Sequence, residues 1–195
     1  MFESLNASQA TLVAPESTTT LVFSKPSAIN TTLLRNGRPL MTVSTLDAGA
    51  ERTTISDAEA GAGEVLVVVQ RRALLSDTVT FARHYGGRSL KLKDWLKEDV
   101  LENGHTTWTI QTPVGNFVWR TDVALRLALC PESNLEHPLA WAQLHTETTP
   151  FGLVLTRGTE QFREEIVASF LILEQRMRMR EKMYYRAHGL SGAMR

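Results

Sequence analysis

The chain has 195 residues, 43% of them hydrophobic and 22% charged, with 21 Lys and Arg against 21 Asp and Glu. This balance suits one folded domain and excludes a disordered chain. It also removes any global attraction to nucleic acid or an anionic membrane, so only local patches can act that way. The single cysteine, Cys130, excludes an internal disulfide framework and a cysteine-based zinc cluster, and beside Leu129 it reads as a small core residue.

Residues 1–16 are small and polar and predict a flexible N-terminal arm. Met1-Phe2-Glu3-Ser4 lacks the basic and apolar regions of a secretory signal, so the expected location is cytoplasmic, including the periphery of membranes. The triplets Asn6-Ala7-Ser8 and Asn30-Thr31-Thr32 match glycosylation acceptors, which carry no meaning without secretion.

From Thr18 to about Arg157, short β-like runs alternate with turn signals. Thr18 to Ser24 is the first. Thr31 to Arg35 and Arg38 to Leu46 flank Asn36-Gly37, the strongest short-range hairpin signal, because both residues tolerate a positive φ. Glu51 to Asp57 follows, and Glu64 to Gln70 contains a Val-Leu-Val-Val-Val run expected to be buried on both faces. Asp77 to Ala82 and Ser89 to Leu92 are shorter candidates around the break at Gly86-Gly87. Asp94 to Leu101 fits one helical turn with Trp95 and Leu96 turned inward. His105 to Gln111 and Asn116 to Thr121 form a second hairpin, with Trp108 and Ile110 on one face and Phe117 and Trp119 on the facing one. Val123 to Cys130, Leu139 to His145 and Phe151 to Thr156 complete roughly a dozen strands, a number that favours a barrel or sandwich.

The pattern then changes. Gly158 ends the last strand, and Thr159 is placed to cap a helix that begins Glu160-Gln161-Phe162, with Glu160, Glu164 and Glu165 at the positive end of its dipole. Phe162, Ile166, Ser169 or Phe170, and Leu173 form a stripe, while Val167, Leu171 and Ile172 make the middle apolar nearly all round. Such a helix is enclosed by protein. The run Ile166 to Leu173 is far shorter than the ~20 residues of a membrane span. Beyond Leu173 the basic residues should emerge into solvent. The expected organisation is one β domain over residues 17–183, including a helix at about 159–183, and a flexible tail at 184–195.

Leu21-Val22-Phe23-Ser24, Asn30-Thr31-Thr32-Leu33 and Gly37-Arg38-Pro39-Leu40-Met41-Thr42-Val43, in that order, give the chain a resemblance to a fungal, chiefly basidiomycete, family of tubby-like proteins, domain of unknown function 6593. Within Gly115-Asn116-Phe117-Val118-Trp119-Arg120, the run Phe117-Val118-Trp119-Arg120 resembles the end of that family's Gly-x-x-Tyr-x-Trp-Lys segment, with Phe117 in place of the tyrosine and the glycine one position nearer to it. The apolar run Ile166 to Leu173 followed by alternating basic residues also fits. The resemblance covers about Leu21 to Lys182. It implies a mainly β, tubby-like closed antiparallel barrel of about twelve strands with a hydrophobic C-terminal helix through its centre. Members of the wider scramblase-like group bind phosphoinositides or act on phospholipids, so it also implies a non-enzymatic module for anionic phospholipid.

Basic side chains are the only candidate contacts. Arg71 and Arg72 lie between two strands, and Arg176, Arg178, Arg180 and Lys182 follow the apolar helix, with Arg186 beyond them. A solvated helix end whose cations suit the negative dipole is the structural alternative. Lys91, Lys93 and Lys97 read equally as headgroup contacts or edge-strand gatekeepers. His84, His105, His137, His145 and His188 show no metal-binding spacing, no Gly-x-Ser-x-Gly elbow is present, and Gly61-Ala62-Gly63 precedes a strand, the wrong context for a phosphate cradle. No catalytic, cofactor or metal residue is therefore assigned, and no nucleic-acid partner is expected. Two alternatives to lipid binding stand: a protein-interaction scaffold using the C-terminal helix, and a small-molecule carrier or enzyme with a pocket at a barrel end.

Overall fold

The computed structural model describes residues 17–46, 51–59, 63–102 and 104–188. The expected arm at 1–16 and the last part of the expected tail, 189–195, lie outside them. Thirteen strands form one antiparallel sheet: β1 (Thr18–Phe23), β2 (Thr31–Arg35), β3 (Arg38–Thr45), β4 (Arg52–Asp57), β5 (Val65–Gln70), β6 (Thr78–Phe81), β7 (Ser89–Lys91), β8 (Leu96–Val100), β9 (Thr106–Thr112), β10 (Gly115–Asp122), β11 (Arg126–Pro131), β12 (Ala140–Gln143) and β13 (Gly152–Thr156). The order across the sheet is β7-β6-β5-β4-β3-β2-β1-β13-β12-β11-β10-β9-β8. Every strand lies beside its neighbours in sequence except at two places. The first and last strands pair, with Leu21 opposite Leu153, and β7 and β8 are the unpaired outer edges. Those edges are joined by one helical turn, α1 (Leu92–Trp95), whose Trp95 donates its indole N–H to the Gln111 carbonyl at 3.0 Å.

The local reasons for these strands are those of an alternating pattern. In β3, Met41, Val43 and Thr45 face inward while Thr42 and Ser44 are exposed. Asn36 and Gly37 adopt φ of 51° and 76°, and this pair of left-handed residues closes the β2–β3 hairpin. Two expectations shift. Asp94 to Leu101 is divided: α1 ends at Trp95, and Leu96 opens β8 opposite Ile110, although both residues are buried as expected. Val65 is exposed at the start of β5 and Gln70 at its end, so only Leu66 to Val69 is enclosed, with Val68 half-buried.

After Gly158 the chain makes one 3-10 turn, Glu160–Phe162, and continues as α2 (Arg163–Ala187). Thr159 does not cap it. Its hydroxyl donates backward to the Thr156 carbonyl at 2.8 Å, and the Glu160 carboxylate instead accepts from the Gly158 N–H at 2.8 Å. From Glu164 to Glu174 every residue of α2 is buried. Phe170 lies among Phe23, Trp119 and Phe151, with ring centroids 5.9, 6.0 and 6.1 Å away. Phe162 stacks on Phe117 at 4.5 Å, so an aromatic without a hydroxyl serves this packing. On another side, Ala168, Leu171 and Ile172 line a small cavity together with Ile55 and Val69. Residues from β1, β4, β5 and β10 thus surround one helix, which is why its middle is apolar all round. Among the described residues no helix is long and apolar enough to cross a membrane.

Because α2 runs from the Thr156 end of β13 toward its Gly152 end, the connections fall into two sets. The 36–37, 58–59, 63–64, 82–88, 113–114 and 132–139 segments lie at the end of the sheet where α2 begins, the entry end. The 24–30, 71–77, 101–102, 104–105, 123–125 and 144–151 segments lie at the opposite end, where α2 leaves the sheet, the exit end.

Candidate functional site

At the exit end, α2 leaves the sheet with five cations (Arg176, Arg178, Arg180, Lys182, Arg186) and two carboxylates, Glu174 and Glu181. Helical spacing divides these cations between two sides. On one side Arg176 and Arg180 reach Glu98 of β8 at 3.9 and 3.3 Å. There Arg71 donates to the Gln175 side-chain oxygen at 2.5 Å. Burial holds the Arg71 guanidinium below its usual pKa, and the adjacent charge of Arg176 adds to the effect; burial does the same to Arg176. Arg71 and Arg176 are therefore brought together although 105 positions separate them in the chain (176 minus 71).

On the other side lies a cleft of about 390 Å³ lined by Arg126, Leu144, His145, Phe151, Glu174, Arg178, Glu181 and Lys182. Its frame is a network of ion pairs. The Glu174 carboxylate, 1% exposed, accepts from Arg126 at 2.8 Å and from Arg178 at 2.6 Å. Arg126 also bonds both oxygens of Glu181, at 2.9 and 3.2 Å, and Arg178 donates to the Pro26 carbonyl at 2.6 Å. Burial opposes the charge of Arg126, but the two carboxylates outweigh it and raise its pKa. Arg178 further lies 5.0 Å from the centroid of the Phe151 ring.

The six basic residues expected from sequence thus all lie at one end of the molecule, in different states. Arg176, Arg178 and Arg180 are held by carboxylates, Arg71 is half-buried, and Arg72 and Lys182 are exposed. Among the described residues no carboxylate forms an ion pair with the side chain of Arg72, Lys182 or Arg186, although the Asp77 carboxylate accepts the Arg72 backbone N–H at 3.0 Å. Sequence reasoning missed Arg126 and placed Glu174, as an opponent of the basic tail, in the solvent-facing half of the helix, whereas it is buried. Arg126 carries a positive φ of 59° at a tight turn, and the only sequence signal for Glu174 is its place directly after the apolar run.

A second polar cluster occupies the entry end. His84 Nδ1 lies 2.6 Å from the carboxylate of Glu165, which is fully buried on the first turn of α2, and the other Glu165 oxygen has no partner. Burial raises the Glu165 pKa against the opposing charge of His84, and it raises that of Glu164 against His84 and Arg83. Tyr85, displaced upward by burial and then by the charge of Glu165, donates to the Gln111 carbonyl at 2.6 Å. Tyr85, Gly86 and Gly87 all have positive φ (54°, 65° and 67°), a tight coil that delivers His84 to the helix. Cys130 is buried in β11, and burial pushes its thiol pKa up. Among the described residues no group of three or more His, Cys, Asp or Glu side chains converges as metal ligands would.

Comparison with protein families matches residues 26–179 to the family of unknown function DUF6593, and the chain belongs to that family. No curated protein and no solved structure matches it.

Proposed function

We propose that this member of the DUF6593 family is a non-enzymatic module that docks on anionic phospholipid through the end at which α2 emerges, and that its sheet is a closed, tubby-like barrel around the helix. Two features support closure: α1 joins the edge strands β7 and β8 in a single turn, and strands from widely separated places in the sheet reach the same helix. The observation that carries the functional reading is the excess of cations beyond Leu173, joined by Arg71 and Arg72 at the same end. Each Lys or Arg near an anionic membrane surface contributes about 1 kcal/mol.

The test is sedimentation with vesicles of phosphatidylcholine alone, with added phosphatidylserine, and with added phosphoinositide. Binding should need the anionic lipid and weaken with salt. The weight falls on the cations that no carboxylate holds. Replacing Arg72, Lys182 and Arg186 by Gln should reduce binding roughly a hundredfold, with the fold unchanged. Glu181→Gln, which removes an anion from the same face, should strengthen it. No binding to anionic vesicles at low salt overturns the proposal.

The exit cleft favours a second reading, as the pocket of a small-molecule carrier, because polar groups converge there beside Phe151 and Leu144. A soluble ligand that raises the thermal midpoint, and loses this effect in Arg126→Gln, would favour it.

A further inference from the structure

The exit end also carries an uneven distribution of exposed apolar side chains. Among the described residues, eight large apolar residues on the strand ends and connections of this end are more than a third exposed, against three (Val65, Val114 and Leu135) at the entry end. The contrast in degree is as large. The entry-end three are 42–45% exposed, whereas Leu74 is 97%, Leu75 66%, Val123 106%, Val100 69% and Leu46 73% exposed. Single exposed apolar residues are ordinary on a protein surface, but a set gathered at one end is not.

Their placement relative to charge matters most. The β5–β6 connection reads Arg71-Arg72-Ala73-Leu74-Leu75, so two cations precede an apolar tip. Val123 projects from a turn closed by the Asp122 carboxylate, which accepts the Ala124 and Leu125 N–H groups, and Leu144 precedes His145 at the cleft. Past them α2 extends exposed Met183 and Tyr184 between Lys182 and Arg186. At Leu74, Leu75, Met183 and Tyr184, cations behind or beside apolar tips match an interface in which phosphate oxygens lie above hydrocarbon, whereas Val100 and Leu101 are flanked by Asp99 and Glu102.

We infer that the tips at Leu74, Leu75 and Val123 insert below the headgroups of an anionic bilayer, so that the molecule docks end-on with the C-terminal half of α2 facing the membrane. The inference rests on the lipid-docking reading and adds depth and orientation to it. A second copy of the chain is the less complementary occupant, because two such ends would bring like charges together.

The experiment attaches an environment-sensitive fluorophore to full-length Leu75→Cys, Val123→Cys and, as the entry-end control, Val114→Cys; the native Cys130 is buried. With vesicles containing phosphatidylserine, the label at 75 and 123 should shift to the blue and be quenched by spin-labelled acyl chains, while the label at 114 should not respond. Leu74→Ser combined with Leu75→Ser should lower vesicle partitioning at least tenfold and leave the thermal midpoint unchanged. Vesicle binding by the unlabelled chain without these responses overturns insertion while the docking reading stands. No binding at all overturns both. A blue shift without vesicles that grows with protein concentration identifies the tips as a self-association surface and also overturns insertion.

Discussion

Replacing Phe170 by Ala tests whether α2 is enclosed as described. The side chain is fully buried and meets aromatic rings from β1, from β10 and from the residue before β13. Truncation removes the whole ring from a site whose walls belong to two separate parts of the sheet, the paired β1 and β13 on one side and β10 on the other, so collapse around the gap is limited. Phe→Ala changes in such cores cost about 3–5 kcal/mol, a large share of the roughly 5–15 kcal/mol that holds a domain folded. With a urea dependence of about 2 kcal/mol per molar, a loss of about 4 kcal/mol moves the unfolding midpoint down by about 2 M. Equilibrium urea unfolding followed by tryptophan fluorescence reads this directly. Tyr184→Ala, 59% exposed on the same helix, is the control and should change stability by no more than about 0.5 kcal/mol. If Phe170→Ala costs less than about 1 kcal/mol, the helix is not enclosed. A stable, soluble Phe170→Asp protein would refute the arrangement outright.

Two further outcomes follow from the polar groups of α2. Ser169 accepts the Trp119 indole N–H at 2.8 Å and donates to the Glu165 carbonyl at 2.7 Å, so Ser169→Ala strands a buried donor and should cost about 1–3 kcal/mol in the same urea experiment; a loss near zero would mean that water or a rearranged side chain replaces the bond. Glu165 has a pKa raised by burial, so its protonated form favours the fold: that contribution is full below the unfolded carboxyl pKa of about 4.3 and is lost as pH rises through the folded value. Glu165→Gln, neutral throughout, should gain stability relative to wild type as pH rises from 4 to 8, and thermal midpoints that stay parallel across that range would count against the shift.

The strands were legible because local chemistry and tertiary role agree. Asn36-Gly37 can close a hairpin wherever it lies, and alternation in Arg38 to Thr45 names the buried face without knowledge of the partner strand. The apolar run of α2 was legible for the same reason. The division at Leu96 was not, since Asp94 to Leu101 has too few apolar positions to separate a turn from a strand; the pairing of Leu96 with Ile110 decides it. The burial of Glu165 and Glu174 was hidden too. Acidic residues on a helix ordinarily face water, and their partners, His84 and Arg126, lie 81 and 48 positions away with no spacing to betray them. The basic exit end was found as a list of residues. Which of them are neutralised depends on carboxylates from other elements, such as Glu98.

The pairing of β1 with β13, and the packing of α2 on the sheet they join, also bear on how the chain reaches this state. Synthesis proceeds from the N-terminus, so twelve strands leave the ribosome before the partner of β1, and the side chains that fill the centre emerge after all of them. Until then the inward faces of Leu21, Leu33 and Ile55 have no helix to cover them. Contacts this distant in sequence are slow to form, and intermediates with uncovered apolar faces are prone to associate. A nascent chain stopped at Thr156 should therefore remain protease-sensitive and dependent on chaperones, and the emergence of α2 should act as the commitment step of folding.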